Sequence, residues 1–197
     1  ETRKHQSQKS RMTLGFFKPS TLIQDRPDVP LLPRCGTCGL FKYCNSPKMH
    51  ATGRGKRKVL MVAECPGKTE DQQGTQLIGK AGQRLRRTLD KLGVDLDEDC
   101  WKTNAVICFP GRNPTEAEID YCRPNLIRDI KELNPEVIIP LGGSAVRSLI
   151  GWLWGDSVGP ITRWVGWRIP SQRLNTWISP TYHPSYVERE SDNRPLE

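Results

Sequence analysis

The chain has 197 residues, 36% of them hydrophobic and 26% charged, and a formal net charge of +8. That length supports one domain with a full core. No apolar run approaches the ~20 residues that span a bilayer and no charged-then-apolar leader opens the sequence, so neither a membrane nor a secreted protein is expected. The expectation is a cytoplasmic monomer, and because the first residue is Glu1 the ends are taken as those of a processed or trimmed stretch.

The charge is uneven. Residues 1–58 hold thirteen Lys/Arg against three acids, a net +10, while residues 59–197 hold seventeen against nineteen, a net −2. Residues 1–34, interrupted by Pro19, Pro27, Pro30 and Pro33, read as a basic extended arm ahead of a domain over 35–197. The densest basic stretch, Lys48 with Arg54, Lys56, Arg57 and Lys58, suits either phosphate neutralisation or plain solvation.

From Lys58 the apolar run Val59–Ala63 predicts a buried strand that leaves into Glu64-Cys65-Pro66-Gly67, a tight loop. After a glycine-bounded loop, Leu85, Leu89 and Leu92 at helical spacing predict an amphipathic helix over 81–92, ended by Gly93. Residues 101–108 read as a second strand, and Thr115 with Glu118 as a capping box opening a helix through Leu133. The strand Val137–Leu141 feeds Gly142-Gly143-Ser144, a glycine turn at a helix N-terminus that can hold a phosphate. Residues 152–170, rich in Trp and Gly, read as a loop or hairpin before the strand Thr176–Ile178, which delivers Thr181-Tyr182-His183-Pro184.

Strands alternating with helices predict an α/β fold, a three-layer sandwich with a central, mostly parallel four-stranded sheet flanked by helices. Ligands of such sheets bind beyond the carboxyl ends of the strands, where Glu64-Cys65, Asn104, Gly142-Gly143 and His183 each follow a separate strand.

Seven cysteines in a reducing compartment point to metal ligands or buried thiols before disulfides. Cys35 and Cys38 come from one turn, and Cys108 and Cys122 lie at the two ends of a loop; four thiolates hold either a cubane iron–sulfur cluster or zinc. Cys44 competes for the same role, and Cys100 reads as a small buried residue.

Taken together and in this order, several motifs resemble the iron–sulfur uracil-DNA glycosylases known as family 4. They are Ala63-Glu64-Cys65-Pro66-Gly67 with Glu70-Asp71, Gly74 through Gly79-Lys80-Ala81-Gly82, Thr103-Asn104 through Cys108, Asn113-Pro114-Thr115, Leu141-Gly142-Gly143-Ser144-Ala145, and Thr181-Tyr182-His183-Pro184-Ser185-Tyr186. The resemblance covers roughly residues 35 to 189 and implies a DNA glycosylase that hydrolyses the N-glycosidic bond of a flipped-out pyrimidine in single- or double-stranded DNA. It favours a [4Fe–4S] cluster over zinc on Cys35, Cys38, Cys108 and Cys122.

Glycosidic cleavage passes through an oxocarbenium-like sugar, so it needs negative charge by the sugar and donors for the departing base. Glu64 and Asp71 are the candidate carboxylates, and by resemblance His183 donates to a base carbonyl. The candidate base-binding set is Cys65, Gly67, Leu77, Asn104 and His183, Asn104 offering both a carbonyl and an amide to the base edge. The candidate DNA contacts are Lys80, Gly142, Gly143, Ser144 and Arg189, with Tyr186 and Val187 where the family pushes into the duplex.

Three positions depart from the family pattern. Leu77 stands in place of a base-stacking phenylalanine, Cys65 in place of alanine, and Glu188 in place of an apolar residue. A flexible aliphatic wall leaves room for a base larger than uracil. Excision of hypermodified bases from viral DNA, as a defence function, is therefore a second expectation, and a non-catalytic iron–sulfur DNA-binding protein a third.

Overall fold

The computed structural model describes residues 32–155 and 157–189, with side chains through Tyr186. The arm assigned to 1–34 therefore falls almost wholly outside the described residues, as do the side chains of Val187 and Arg189.

Five strands form one sheet in the order β2-β1-β3-β5-β4. They are β1 (Val59–Ala63), β2 (Cys100–Asn104), β3 (Val137–Pro140), β4 (Ile169–Ser171) and β5 (Thr176–Ile178). β1 pairs in parallel with both β2 and β3, β3 in parallel with β5, and only β4 runs antiparallel. The sequence predicts four strands; the fifth is β4, the first arm of the hairpin, hidden because three residues with Pro170 at the centre carry almost no alternation. Proline is tolerated there because β4 is an edge and Pro170 is exposed.

Alternation along β1 explains the three layers. Leu60 and Val62 point to one face and pack with Leu126, Ile130 and Leu149, from the helices α4 (Glu116–Leu133) and α5 (Gly143–Trp154). Met61 and Ala63 point to the other and pack with Leu77, Leu96 and Leu141, backed by Leu85 and Leu89 of α3 (Lys80–Asp90). A short helix, α1 (Cys35–Cys38), packs on α4. Another short helix, α2 (Lys68–Gln73), occupies what the sequence presents as a glycine-bounded loop, and α6 (Pro184–Arg189) packs beside α3.

Two predicted boundaries shift for stated reasons. The second strand ends at Asn104, not Cys108: Ala105 and Val106 still donate to the carbonyls of Ala63 and Glu64, but β1 then turns away at Pro66 and the ladder has no further partner. Leu92, 71% exposed, lies beyond α3, whose end is closed by a bond from Val94 N–H to the Leu89 carbonyl around Gly93 at φ 67°.

Four of the five cations in the basic stretch before β1 pair locally, sharing three acids, while Lys48 lies over the Phe41 ring. Arg54 and Lys56 pair with Glu98, Arg57 with Asp99, and Lys58 with Glu136. Standing at the amino end of β1, these residues lie at the opposite edge of the sheet from the strand-end motifs, so the phosphate role anticipated for them has no geometric support.

The predicted capping box is present: Glu118 N–H donates to Thr115 Oγ1 at 3.2 Å, and Thr115 N–H to the Glu118 carboxylate at 2.7 Å. The same carboxylate takes both terminal nitrogens of Arg112 at 2.8 Å. The Arg112 hydrogen bonds hold Glu118 down at about 2, against the opposing effect of burial. A carboxyl depressed on folding stabilises the native state above its unfolded pKa and loses that contribution as pH falls through the native value. Thermal melts are therefore expected to fall between pH 4.5 and about 2, and Glu118→Gln to flatten that part of the profile.

Candidate functional site

The carboxyl ends of β1, β2 and β5 open into one cleft of about 470 Å³. Glu64, Cys65 and Gly67 line it from the loop after β1, Asn104 from the end of β2, Leu77 and Lys80 from the approach to α3, and His183 from the segment after β5. The register Ala63↔Asn104 sets Glu64 beside Asn104, and a bridge between Leu141 and Thr181 brings the glycine turn against the histidine segment.

Each cleft side chain is held by a local device. Glu64 accepts a hydrogen bond from Ser144 Oγ at 2.9 Å, so the serine expected to meet a phosphate instead orients the carboxylate across the sheet. Gly142 has φ 87°, and a Cβ there would sit 2.9 Å from the His183 Cβ; only glycine lets the turn lie this close. Gly143, in the first turn of α5, is exposed with open space where a Cβ would be. His183 Nδ1 accepts from the Ser185 N–H at 3.3 Å, with the Ser185 hydroxyl 2.7 Å away. With Nδ1 accepting from that N–H, a neutral ring carries its proton on Nε2.

Asn104 is 1% exposed, and its Nδ2 has no hydrogen-bond partner among the described residues. A buried amide donor left unpaired costs about 1–3 kcal/mol, so an orphan at the wall of a cleft marks a place for a ligand acceptor.

Leu77 adopts φ 56°, an uncommon conformation for a residue with a branched side chain. Two features hold it there. The Glu70 carboxylate accepts the N–H groups of Ile78 at 3.1 Å and Gly79 at 2.7 Å, and the Leu77 backbone occupies the space a Cβ on Gly82 would need, its carbonyl oxygen 2.0 Å from that point. Glu70 also explains Gly67, where a Cβ would come 2.6 Å from the carboxylate. Sequence reasoning passed over Glu70 as a site residue, although an acid three residues after the Pro66-Gly67 turn was a usable signal.

Asp71 is not in the cleft. It is 2% exposed and its carboxylate accepts from the Asn45 N–H at 3.0 Å, Asn45 Nδ2 at 2.9 Å and the Ser46 N–H at 2.9 Å, pinning the loop after Cys44 to α2. Cys65 lines the cleft as a neutral thiol, pushed up to about 12 by burial and then by the charges of Glu64, Glu70 and Glu118. Tyr186 is 38% exposed and stacked on Tyr182 with ring centroids 5.0 Å apart.

A second cavity gathers Cys35, Cys38, Cys108 and Cys122 between Leu40, Phe41, Val106 and Tyr121. Cys108 Sγ accepts the Lys48 N–H at 3.3 Å, and Cys122 Sγ accepts the Ile107 N–H at 3.4 Å and Asn125 Nδ2 at 3.6 Å. Burial pushes the free thiols of Cys108 and Cys122 up to about 12 and about 11. Cys44 touches Cys108 but does not line the cavity. Among the described residues, no three His, Cys, Asp or Glu side chains form a group that could hold a single metal ion.

Residues 50–197 match the family model described as the uracil DNA glycosylase superfamily. The chain belongs to the uracil-DNA glycosylase superfamily. It is similar to the Type-4 uracil-DNA glycosylase of Pyrobaculum aerophilum, 35% identical over 81% of this chain and 82% of that protein. It is also similar to those of Saccharolobus solfataricus, 31% identical over 77% and 71%, and Archaeoglobus fulgidus, 33% identical over 78% and 77%.

The two carboxylates are expected to separate cleanly in stability measurements. Asp71→Ala strips three donors of their acceptor and should lower the urea unfolding free energy by roughly 3 kcal/mol, whereas Glu64→Ala loses one serine contact and should cost within about 1 kcal/mol.

Proposed function

We propose that the protein is a DNA glycosylase that hydrolyses the N-glycosidic bond of a pyrimidine rotated out of the DNA stack, leaving an abasic site. The observation that carries this reading is the orphaned Nδ2 of Asn104 in the cleft wall. In the orientation described, that N–H meets the 4-carbonyl of uracil or thymine, whereas the amino group of a cytosine ring would set donor against donor. The reading therefore favours 4-keto pyrimidines, uracil first, consistent with the names of the relatives.

The remaining roles follow from position. Glu64, oriented by Ser144, sets negative charge where the sugar becomes cationic and holds the attacking water; His183 presents Nε2–H to the base oxygen on which negative charge accumulates. Lys80 and the open Gly143 turn are suited to flanking phosphates, and Tyr186 to the duplex at the flipped nucleotide; the family resemblance adds Val187 and Arg189 there.

A [4Fe–4S] cluster fits Cys35, Cys38, Cys108 and Cys122. Four thiols line one cavity, and N–H donors already point at the sulfurs of Cys108 and Cys122, the ligand chemistry of a cubane cluster. When bound, the cluster supplies a cross-link between the N-terminal segment and the core; no bond-breaking step is assigned to it.

Asn104→Ala is expected to lower kcat/KM on uracil-containing oligonucleotides about 10²-fold or more, with little change in affinity for undamaged DNA. A panel carrying uracil, thymine mismatches and bulky modified cytosines, read by cleavage at abasic sites, should give product from uracil. Product from bulky bases alone would overturn uracil as substrate in favour of the defence reading, and no product from any would leave a binder. Purified protein should show iron–sulfur charge-transfer absorbance that Cys108→Ser abolishes.

A further inference from the structure

The tryptophan-rich segment between α5 and β4 plays no part in the cleft or the cysteine cavity. Residues 157–187 contain three arginines, Arg163, Arg168 and Arg173, and no Asp or Glu. Trp154 is 57% exposed and Trp167 62% exposed, far more than such large apolar side chains are when they serve a core. Trp154 stacks on Trp164 with centroids 5.8 Å apart, and Trp164 is itself anchored by a 2.7 Å bond from Nε1 to the Val158 carbonyl. Arg163 and Arg168 are exposed and make no ion pair with the described residues.

The fold fixes where this surface lies. Ile169, the first residue of β4, pairs with Ile178, the last residue of β5, so Trp167 and Arg168 stand at the carboxyl edge of the sheet, the edge that carries Glu64, Asn104 and His183. From β1 to β4 is three strand spacings, about 14 Å laterally, or about four nucleotides along one strand at roughly 3.4 Å each.

We propose that Trp167 and Arg168, with Arg163 earlier in the same segment, form a ledge that binds the target strand several nucleotides to one side of the excised base. A flat ring takes any base by stacking, and unpaired guanidinium groups take phosphate, so the ledge is sequence-tolerant. Between α5 and β4 the single acid, Asp156, stands against Arg163 and Arg168, and from 157 to 187 there is none, a balance that selects a polyanion over an apolar protein partner. The proposal rests on DNA being the substrate and on no detail of the excision chemistry.

The test uses the full chain, its Trp167→Ala/Arg168→Ala variant and fluorescein-labelled single-stranded oligonucleotides. These carry one uracil with either two or ten nucleotides on the 5′ or the 3′ side. Binding is read by anisotropy and excision separately. Both substituted side chains are exposed, so circular dichroism should be unchanged. The variant is expected to bind roughly ten-fold more weakly to oligonucleotides extended on one particular side, with short-flank affinity and kcat unaltered. The salt slope for the long-flank oligonucleotide should become shallower by about 0.7.

Equal affinity of variant and wild type at every flank length overturns the ledge, as does a loss that is the same at short and long flanks. A wild-type chain that shows the flank dependence without excising anything sinks the glycosylase reading and leaves the ledge standing. Failure of the wild type to bind any of the oligonucleotides overturns both.

Discussion

The site depends on the parallel pairing of β1 with a neighbour on each side. That ladder sets Ala63 opposite Asn104 and Val62 opposite Pro140, so three chain segments reach the same edge together and leave into loops there. A one-residue slip of β1 would exchange the side chains packed against α4 and α5 with those packed against α3, and both faces are already filled. Glu64, Asn104 and the glycine turn therefore owe their proximity to the core, although none belongs to it. The β3–β5 pairing extends the same frame to His183, with the Leu141–Thr181 bridge as the last shared contact.

Around that frame the cleft is shaped by residues that lack something. Gly142 and Gly82 each stand where a Cβ would meet a neighbour, and Gly67 leaves room for the Glu70 carboxylate. Glu70 in turn spends its charge on two backbone N–H groups to hold Leu77 at positive φ. Such local strain persists only where surrounding contacts over-determine it, and here it serves the wall of a binding cleft. Two adjacent acids thus have different work: Glu70 shapes the cleft wall, and Asp71 anchors the loop after Cys44.

The cysteine cavity shows a second use of burial. Thiols in an apolar setting resist ionisation, yet N–H donors are already aimed at two of the sulfurs, an arrangement that favours thiolate once positive charge is supplied. Because Cys35 and Cys38 lie on the short helix α1 and Cys122 on α4, such a site links a small element with little core of its own to the body of the domain.

Much of the fold was legible from the chain alone. Apolar runs ending at glycine or proline marked β1, β3 and β5, and Thr115 with Glu118 marked the start of α4, because strand burial and helix capping are set by residues close in sequence. The cleft membership of Glu64, Asn104 and His183 followed from strand ends in a parallel sheet, a rule of topology more than of contact. What escaped was decided by residues far apart. Ser144 turns from phosphate toward Glu64, 80 positions away; Asp71 is taken by a loop 25 and 26 positions earlier; and the basic stretch before β1 is matched by acids some forty or more positions later. Sequence determines which groups are present and which elements carry them, since those depend on local backbone energetics. Which partner claims each polar group is settled only when packing fixes distances, because a charge or hydroxyl binds whatever the fold brings within about 3 Å.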